Sequence, residues 1–291
     1  MNYEIIKTKF DYFSIKNPPT QKELKKYYSQ KYYQDESTQF SHKYSDNELV
    51  YFKNKAKIAS HIYNQTFYTK EKSLLEVGAG EGFFANYFFQ KEWNITSLDY
   101  SEYGMKQHNP HLLHTLKIGD VFNSINNLIN LKSTYNLINL SNILEHVIDP
   151  IDLLKKLRLL LSKESLLRIS VPNDYSNFQN YLLENNYTTD TWFCPPEHLH
   201  YFSFDSLSKL LIFLGYDIEL KIGEFPIEMY ILNESSNYTK NKDVGKFANK
   251  ARIEVDNYLF EQGIEKYINY YKSSADIGFS RQVVIFAKLK K

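Results

Sequence analysis

A single cysteine, Cys194, stands in the 291 residues, which excludes an internal disulfide and a cysteine-built zinc cluster. No apolar stretch approaches the roughly 20 residues that span a bilayer, and Met1 to Lys7 lacks the apolar core of a secretory leader. A soluble, cytoplasmic protein is therefore expected. An excess of one charge is also missing. The 35 basic and 34 acidic residues leave a net charge of +1, and no basic run or stripe marks a nucleic-acid face. No internal repeat or low-complexity linker stands out. Glycine is sparse, ten in all, yet three fall within one short segment, and that segment says most about the chain.

Leu74-Leu75-Glu76-Val77-Gly78-Ala79-Gly80-Glu81-Gly82 runs apolar residues into an acid and three glycines spaced two apart. A helical pattern follows, with Phe83, Phe84, Tyr87 and Phe88. A buried strand that turns through Gly-x-Gly-x-Gly into a helix brings bare backbone against a ligand. A Cβ there would collide with the ligand or forbid the φ > 0 turn. Downstream, Trp93 to Asp99 reads as a second short strand ending in an acid, the place where nucleoside-binding α/β folds hold ribose hydroxyls. The dinucleotide fingerprint is G-x-G-x-x-G over a pyrophosphate. Here the third glycine comes one residue too early for that, and Glu76 precedes the first. By sign of charge, a carboxylate beside the loop suits a cationic or amino-bearing ligand better than a pyrophosphate.

These residues resemble the class I S-adenosylmethionine-dependent methyltransferases, whose first motif is E/D-x-G-x-G-x-G. Ile118 to Val121 is similar to the third motif. Tyr135 to Val147 is similar to the fourth strand and its following helix, and Leu166 to Asn173 to the fifth strand. Leu144-Glu145-His146-Val147 and His198 to Ser203 resemble one bacterial branch that modifies sugars, lipids and small metabolites. The resemblance covers about residues 73 to 222. It implies a Rossmann-like α/β sheet with an antiparallel last strand, S-adenosylmethionine as cofactor, and roles residue by residue. Gly78, Gly80 and Gly82, with Ala79 between them, leave room for the methionyl part, and Glu76 orders the loop. Asp99, followed by Tyr100, takes the ribose hydroxyls. Asp120 takes the adenine amine, with Val121 and Phe122 against the base, and Ser141 meets the amino-acid end. Lys163-Glu164-Ser165 departs from the usual Gly-Gly before strand five. The four-cysteine zinc module of some bacterial sugar C-methyltransferases is absent, since only Cys194 is present.

Two parts are expected: an N-terminal helical extension or lid over 1–70, and a methyltransferase domain over 71–291 with a helical insertion at 225–278. In the extension, helices are expected from Gln21 to Gln34 and from Glu48 to Phe67. In the α/β part, Pro150 opens a helix with Ile151, Leu154, Leu157 and Leu161 at helical spacing. Ser203 caps another, ended by Gly215. The insertion carries Val244, Phe247, Ala248, Ala251, Val255, Tyr258 and Leu259 as a helical stripe. It reads as a cap over the acceptor pocket, a homodimer contact, or an amphipathic helix packed on the core. Gln282 to Leu289 reads as the closing strand. Tyr28 and Tyr32 share a helix face, which could close over the sulfonium.

Methyl transfer asks mainly for alignment and exclusion of water, because the sulfonium methyl is already electrophilic. A hydroxyl acceptor gains from a general base, and histidine is the natural one. The candidates are His146, His198 and His200. Metal binding by His198 and His200 lacks a third ligand nearby in sequence, so no metal site is expected. The expected acceptor is a hydroxyl on a small polar metabolite such as a sugar, a nucleotide-sugar or a phosphorylated surface-polysaccharide precursor. The rival readings are an NAD(P)-binding oxidoreductase and a non-catalytic S-adenosylmethionine-binding protein.

Overall fold

A computed structural model of the chain describes residues 3–24, 27, 43–70 and 72–290. The chain opens on strands, which a helical extension did not anticipate: β1 (Ile5–Lys7) and β2 (Phe13–Ile15) form an antiparallel hairpin. Helix α1 (Asp46–Thr66) matches the second expected helix and starts where Ser45 and Glu48 make a reciprocal capping box.

The main sheet grows outward from β3 (Ser73–Val77). It pairs in parallel with β4 (Asn94–Asp99) and β6 (Tyr135–Ser141); β4 pairs with β5 (Leu116–Ile118), and β6 with β7 (Leu161–Pro172). Between them run α2 (Phe83–Phe89), α3 (Tyr103–His108), α4 (Val121–Asn130) and α5 (Pro150–Leu159). Then come α6 (Asn177–Glu184), the short β8 (His200–Tyr201), α7 (Phe204–Phe213), β9 (Tyr216–Ile222), α8 (Gly245–Glu261), α9 (Ile264–Asp276) and β10 (Gln282–Leu289). The sheet order is β5-β4-β3-β6-β7-β10-β9, with β10 antiparallel to both its neighbours. This is the Rossmann-like sheet with an antiparallel last strand.

Successive side chains of a strand point to opposite faces, and the core divides accordingly. Leu75, Val77, Ile138 and Leu167 pack with apolar residues of α4, α5 and α7. Leu74, Leu137, Leu166 and Phe286 pack with those of α1, α2 and α9. Helix α5 starts as expected, with Asp149 capping and Pro150 in its first turn. Helix α7 is capped by Ser203, and Gly215 follows its end with φ 83°. The chain after β6 turns through residues 142–149 without forming a helix there, so the helix expected within Asn142 to Val147 begins only at Pro150.

The insertion differs from its expected stripe. Phe247, Val255 and Tyr258 are exposed, whereas α8 buries Ala248, Ile253, Asp256 and Asn257. The polar pair is buried because α1 supplies its partners. Asn54 Nδ2 donates to Asn257 Oδ1 (3.2 Å), and Lys55 Nζ lies 3.2 Å from Asp256 Oδ2.

Candidate active site

All three glycines after β3 take positive φ: 76° at Gly78, 52° at Gly80 and 77° at Gly82. Gly78 and Ala79 donate their N–H groups to Leu98 O at 2.8 and 3.0 Å, tying the loop to the end of β4. A Cβ on Gly78 would overlap the Ile143 side chain, so this glycine lets the loop after β6 press against the glycine turn. A Cβ on Gly80 would meet nothing within 4 Å among the described residues. Asp99, at the tip of β4, accepts the Gly80 N–H on Oδ2 (2.8 Å) and the Ser101 N–H on Oδ1 (3.0 Å). Burial pushes its carboxyl up, and these backbone donors act against that.

Asp120 caps α4, its Oδ1 accepting the Asn123 N–H at 2.9 Å. Its Oδ2 accepts the Tyr100 hydroxyl at 2.6 Å and the Gln21 amide at 3.4 Å. Tyr100 and Asp120 are thus brought together beside Asp99. Val121 is buried in the first turn of α4, and Phe122 packs half-buried against the core. Sequence reasoning missed Tyr44, whose hydroxyl donates to Glu81 Oε1 (2.9 Å) and whose ring packs against Phe52, Phe83 and His108. Its position just before the Ser45 cap was the available signal. Tyr28, and Tyr32 with it, lies outside the described residues.

Glu76 begins a polar row buried across the sheet. Asn139 Nδ2 donates to Glu76 Oε1 (3.4 Å), and Arg168 Nη1 donates to Asn139 Oδ1 (2.9 Å). Neighbouring strands present the three residues in register, Glu76 opposite Asn139 and Asn139 opposite Arg168. Burial pushes the Glu76 carboxyl up to about 8.

At the carboxyl ends of β6 and β7, Ser141 is half-buried and Asn142 turns the chain with φ 52°. Glu145, only 1% exposed, has no hydrogen-bond partner for either carboxylate oxygen among the described residues. Burial pushes its carboxyl up to about 8. His146 Nδ1 donates to Glu197 O (2.7 Å), and its ring meets that of His198 edge-on, centroids 4.9 Å apart. His198 Nδ1 lies 3.4 Å from Asp174 Oδ2. Burial alone would lower the His198 imidazole, but the Asp174 carboxylate holds it up to about 10. Asp174 also pairs with Arg281 (2.7 Å), which reaches Glu228 of the insertion at 3.2 Å.

His200 does not join this group. It belongs to β8, which pairs with β2, so its Nδ1 meets Ser14 Oγ (3.0 Å) and its Nε2 donates to Val147 O (2.8 Å). Burial lowers its pKa to about 4. With both ring nitrogens engaged, its candidacy as general base is withdrawn. Glu145, absent from the expected site, takes its place beside His146 and His198. An acid adjoining a histidine just past a parallel strand was the sequence signal.

A family model described as a methyltransferase domain matches residues 51–220. The chain belongs to this methyltransferase family. The enzyme is an S-adenosylmethionine-dependent methyltransferase. Among solved structures, the chain is similar to the plantazolicin methyltransferase BamL in complex with a triazolic desmethylPZN analog and SAH. That match has 13% identity, covers 92% of this chain and 95% of the other, and has a TM-score of 0.56. It is also similar to the plantazolicin methyltransferase BpumL with a monoazolic analog and SAH. There the identity is 16%, coverage is 93% and 99%, and the TM-score is 0.52. At these identities the likeness speaks for the methyltransferase's fold. No curated protein matches the methyltransferase. Among the described residues, no helix is long and apolar enough to cross a membrane.

Proposed function

We propose that the enzyme methylates a hydroxyl of a small polar metabolite in the cytoplasm, with a sugar, a nucleotide-sugar or a phosphorylated surface-polysaccharide precursor as the acceptor class. One observation carries the hydroxyl reading: His146 and His198 face each other at the carboxyl ends of the parallel strands, beside the buried Glu145. Open α/β sheets bind their ligands at that edge. A hydroxyl is a poor nucleophile until its proton is drawn off, which a polar cluster at this edge can promote. The acceptor class follows the resemblance of Leu144 to Val147 and His198 to Ser203 to the sugar- and metabolite-modifying branch.

The glycine turn fits the methyl donor. Among the described residues Gly80 faces open space where a Cβ would project, and Glu76 and Asp99 supply acid at the strand ends beside it. In this reading Gly78 to Gly82 hold the methionyl part and Asp99 the ribose. Asp120, Val121 and Phe122 hold the adenine, and Ser141 the amino-acid end. The cofactor supplies an electrophilic methyl when bound. The protein's part is to align the acceptor oxygen and keep water out.

Incubation with methyl-labelled S-adenosylmethionine and fractionated polar metabolites tests the proposal. Label in a base-stable methyl ether of a polar metabolite is expected. Label confined to amines or carbon would refute it, and no transfer from any pool would leave a cofactor-binding protein instead.

A further inference from the structure

We propose that Glu145, His146 and His198 form a binding site for a divalent transition ion of the zinc type. Each residue offers one ligand atom, and the three atoms lie within 4.8 Å of one another. Two imidazoles and one carboxylate make a donor set that suits borderline ions such as Zn²⁺ or Co²⁺ better than the oxygen-seeking Mg²⁺, and it leaves coordination positions open.

A second observation points to a cation independently of this grouping. Both Glu145 oxygens are buried and lack hydrogen-bond partners among the described residues. Burying a carboxylate without a partner is costly, so such groups are normally paired or coordinate a metal. An ion between the three side chains gives one of these Glu145 oxygens its partner and offsets the carboxylate's charge. His146 Nε2 lies 3.7 Å from Glu145 Oε1 as it stands, a separation that a shared ion bridges.

The surroundings are those of metal-ligating histidines, which characteristically donate their other ring N–H to a carbonyl or carboxylate. His146 Nδ1 donates to Glu197 O, so in the neutral ring Nε2 carries the lone pair. Asp174 stands behind His198 at Nδ1 and is itself anchored by Arg281. Glu145 O accepts the Leu199 N–H at 2.7 Å, locking the two ligand-bearing segments together.

This site rests on the hydroxyl reading for its role. An open position takes the acceptor oxygen and polarises its O–H. The proton leaves to solvent, the oxygen forms the O–C bond as the C–S bond breaks, and the sulfonium becomes a neutral thioether. The histidines then act as ligands and not as proton acceptors.

The test uses the full chain after treatment with a chelator, titrated with Co²⁺ and followed by visible absorption, and with Zn²⁺ by calorimetry. The expected result is one ion per chain, with cobalt bands of four- or five-coordinate geometry. Glu145→Gln and His198→Ala should each weaken uptake at least tenfold while SAH still binds. No one-to-one uptake by wild-type protein that binds SAH overturns the site, as does uptake that both variants leave unchanged. Stoichiometric uptake without transfer to any hydroxyl retains the site and removes the hydroxyl reading, so the two fail separately.

Discussion

Asp99 accepts the Gly80 N–H on Oδ2 at 2.8 Å, so the acid at the tip of β4 and the middle glycine of the turn after β3 hold one another. The Ser101 N–H on Oδ1 completes a carboxylate that is positioned before any ligand arrives. Asp99→Asn keeps the shape but turns one acceptor into an amide that cannot take an N–H. The expected outcome is an SAH affinity at least tenfold weaker by calorimetry, since hydrogen bonds to a charged acceptor are worth about 1.5–3 kcal/mol. Unchanged affinity would remove Asp99 from the cofactor site.

Gly78 and Gly80 separate two reasons for a glycine. Both have positive φ, which costs an L-residue roughly 1–2 kcal/mol. A methyl at Gly78 also runs into Ile143, while one at Gly80 meets none of the described residues. Gly78→Ala is therefore expected to lower Tm clearly more than Gly80→Ala. Gly80→Ala should weaken SAH binding by more than its small change in Tm accounts for. Equal Tm losses with equal binding losses would contradict this division.

His200 gives stability a pH dependence whose sign follows from its burial. Its folded pKa is about 4, below the ordinary 6.5, so the unfolded chain takes up the proton first as pH falls. The contribution is complete above about 6.5 and is lost between there and 4, amounting to roughly 2 kcal/mol by pH 5. Thermal unfolding at pH 7.5 and pH 5 should show a drop in wild type that is smaller in His200→Gln. Parallel drops in the two proteins would show that another group sets the slope.

What could be read from the chain and what could not divides along physical lines. β3, β4, β6 and β10 are short apolar runs ending in an acid, a glycine or a turn, and the Pro150 and Ser203 starts carry their own stop-and-start chemistry; local pattern suffices for these. The β1–β2 hairpin escaped because Ile5 to Lys7 and Phe13 to Ile15 are only three residues each and are completed by His200–Tyr201, far away in sequence. That same pairing sends His200 away from His198, although the two are neighbours but one. The exposed Phe247 and Tyr258 escaped for the opposite reason. Their helix buries Asp256 and Asn257, which no hydrophobic pattern selects, because Lys55, Tyr267 and Tyr271 wait for Asp256 on other helices. Glu145 was passed over since an acid is normally solvated, and only the structure shows it buried, with no hydrogen-bond partner for its carboxylate among the described residues.

Lys55 joins the insertion to the rest of the enzyme. Its Nζ sits 2.9 Å from Glu224 Oε1 and 3.2 Å from Asp256 Oδ2, and all three side chains are nearly enclosed. Burial would lower the Lys55 pKa, yet the two carboxylates hold it above its ordinary value, so the group stays charged. Lys55→Met retains the bulk and deletes the charge, leaving two buried acids with less compensation. Breaking such a buried pair costs about 3–5 kcal/mol. A Tm loss of roughly 6–10 °C follows for a chain of this size. Adding Asp256→Asn to Lys55→Met should recover part of that loss, because the second acid then no longer lacks its cation. SAH affinity at 20 °C should stay close to wild type, since neither residue touches the glycine turn. A Tm that Lys55→Met leaves unchanged would mean that Arg168 and Arg252, whose charges also act on Glu224, already neutralise the cluster and that Lys55 adds nothing to it.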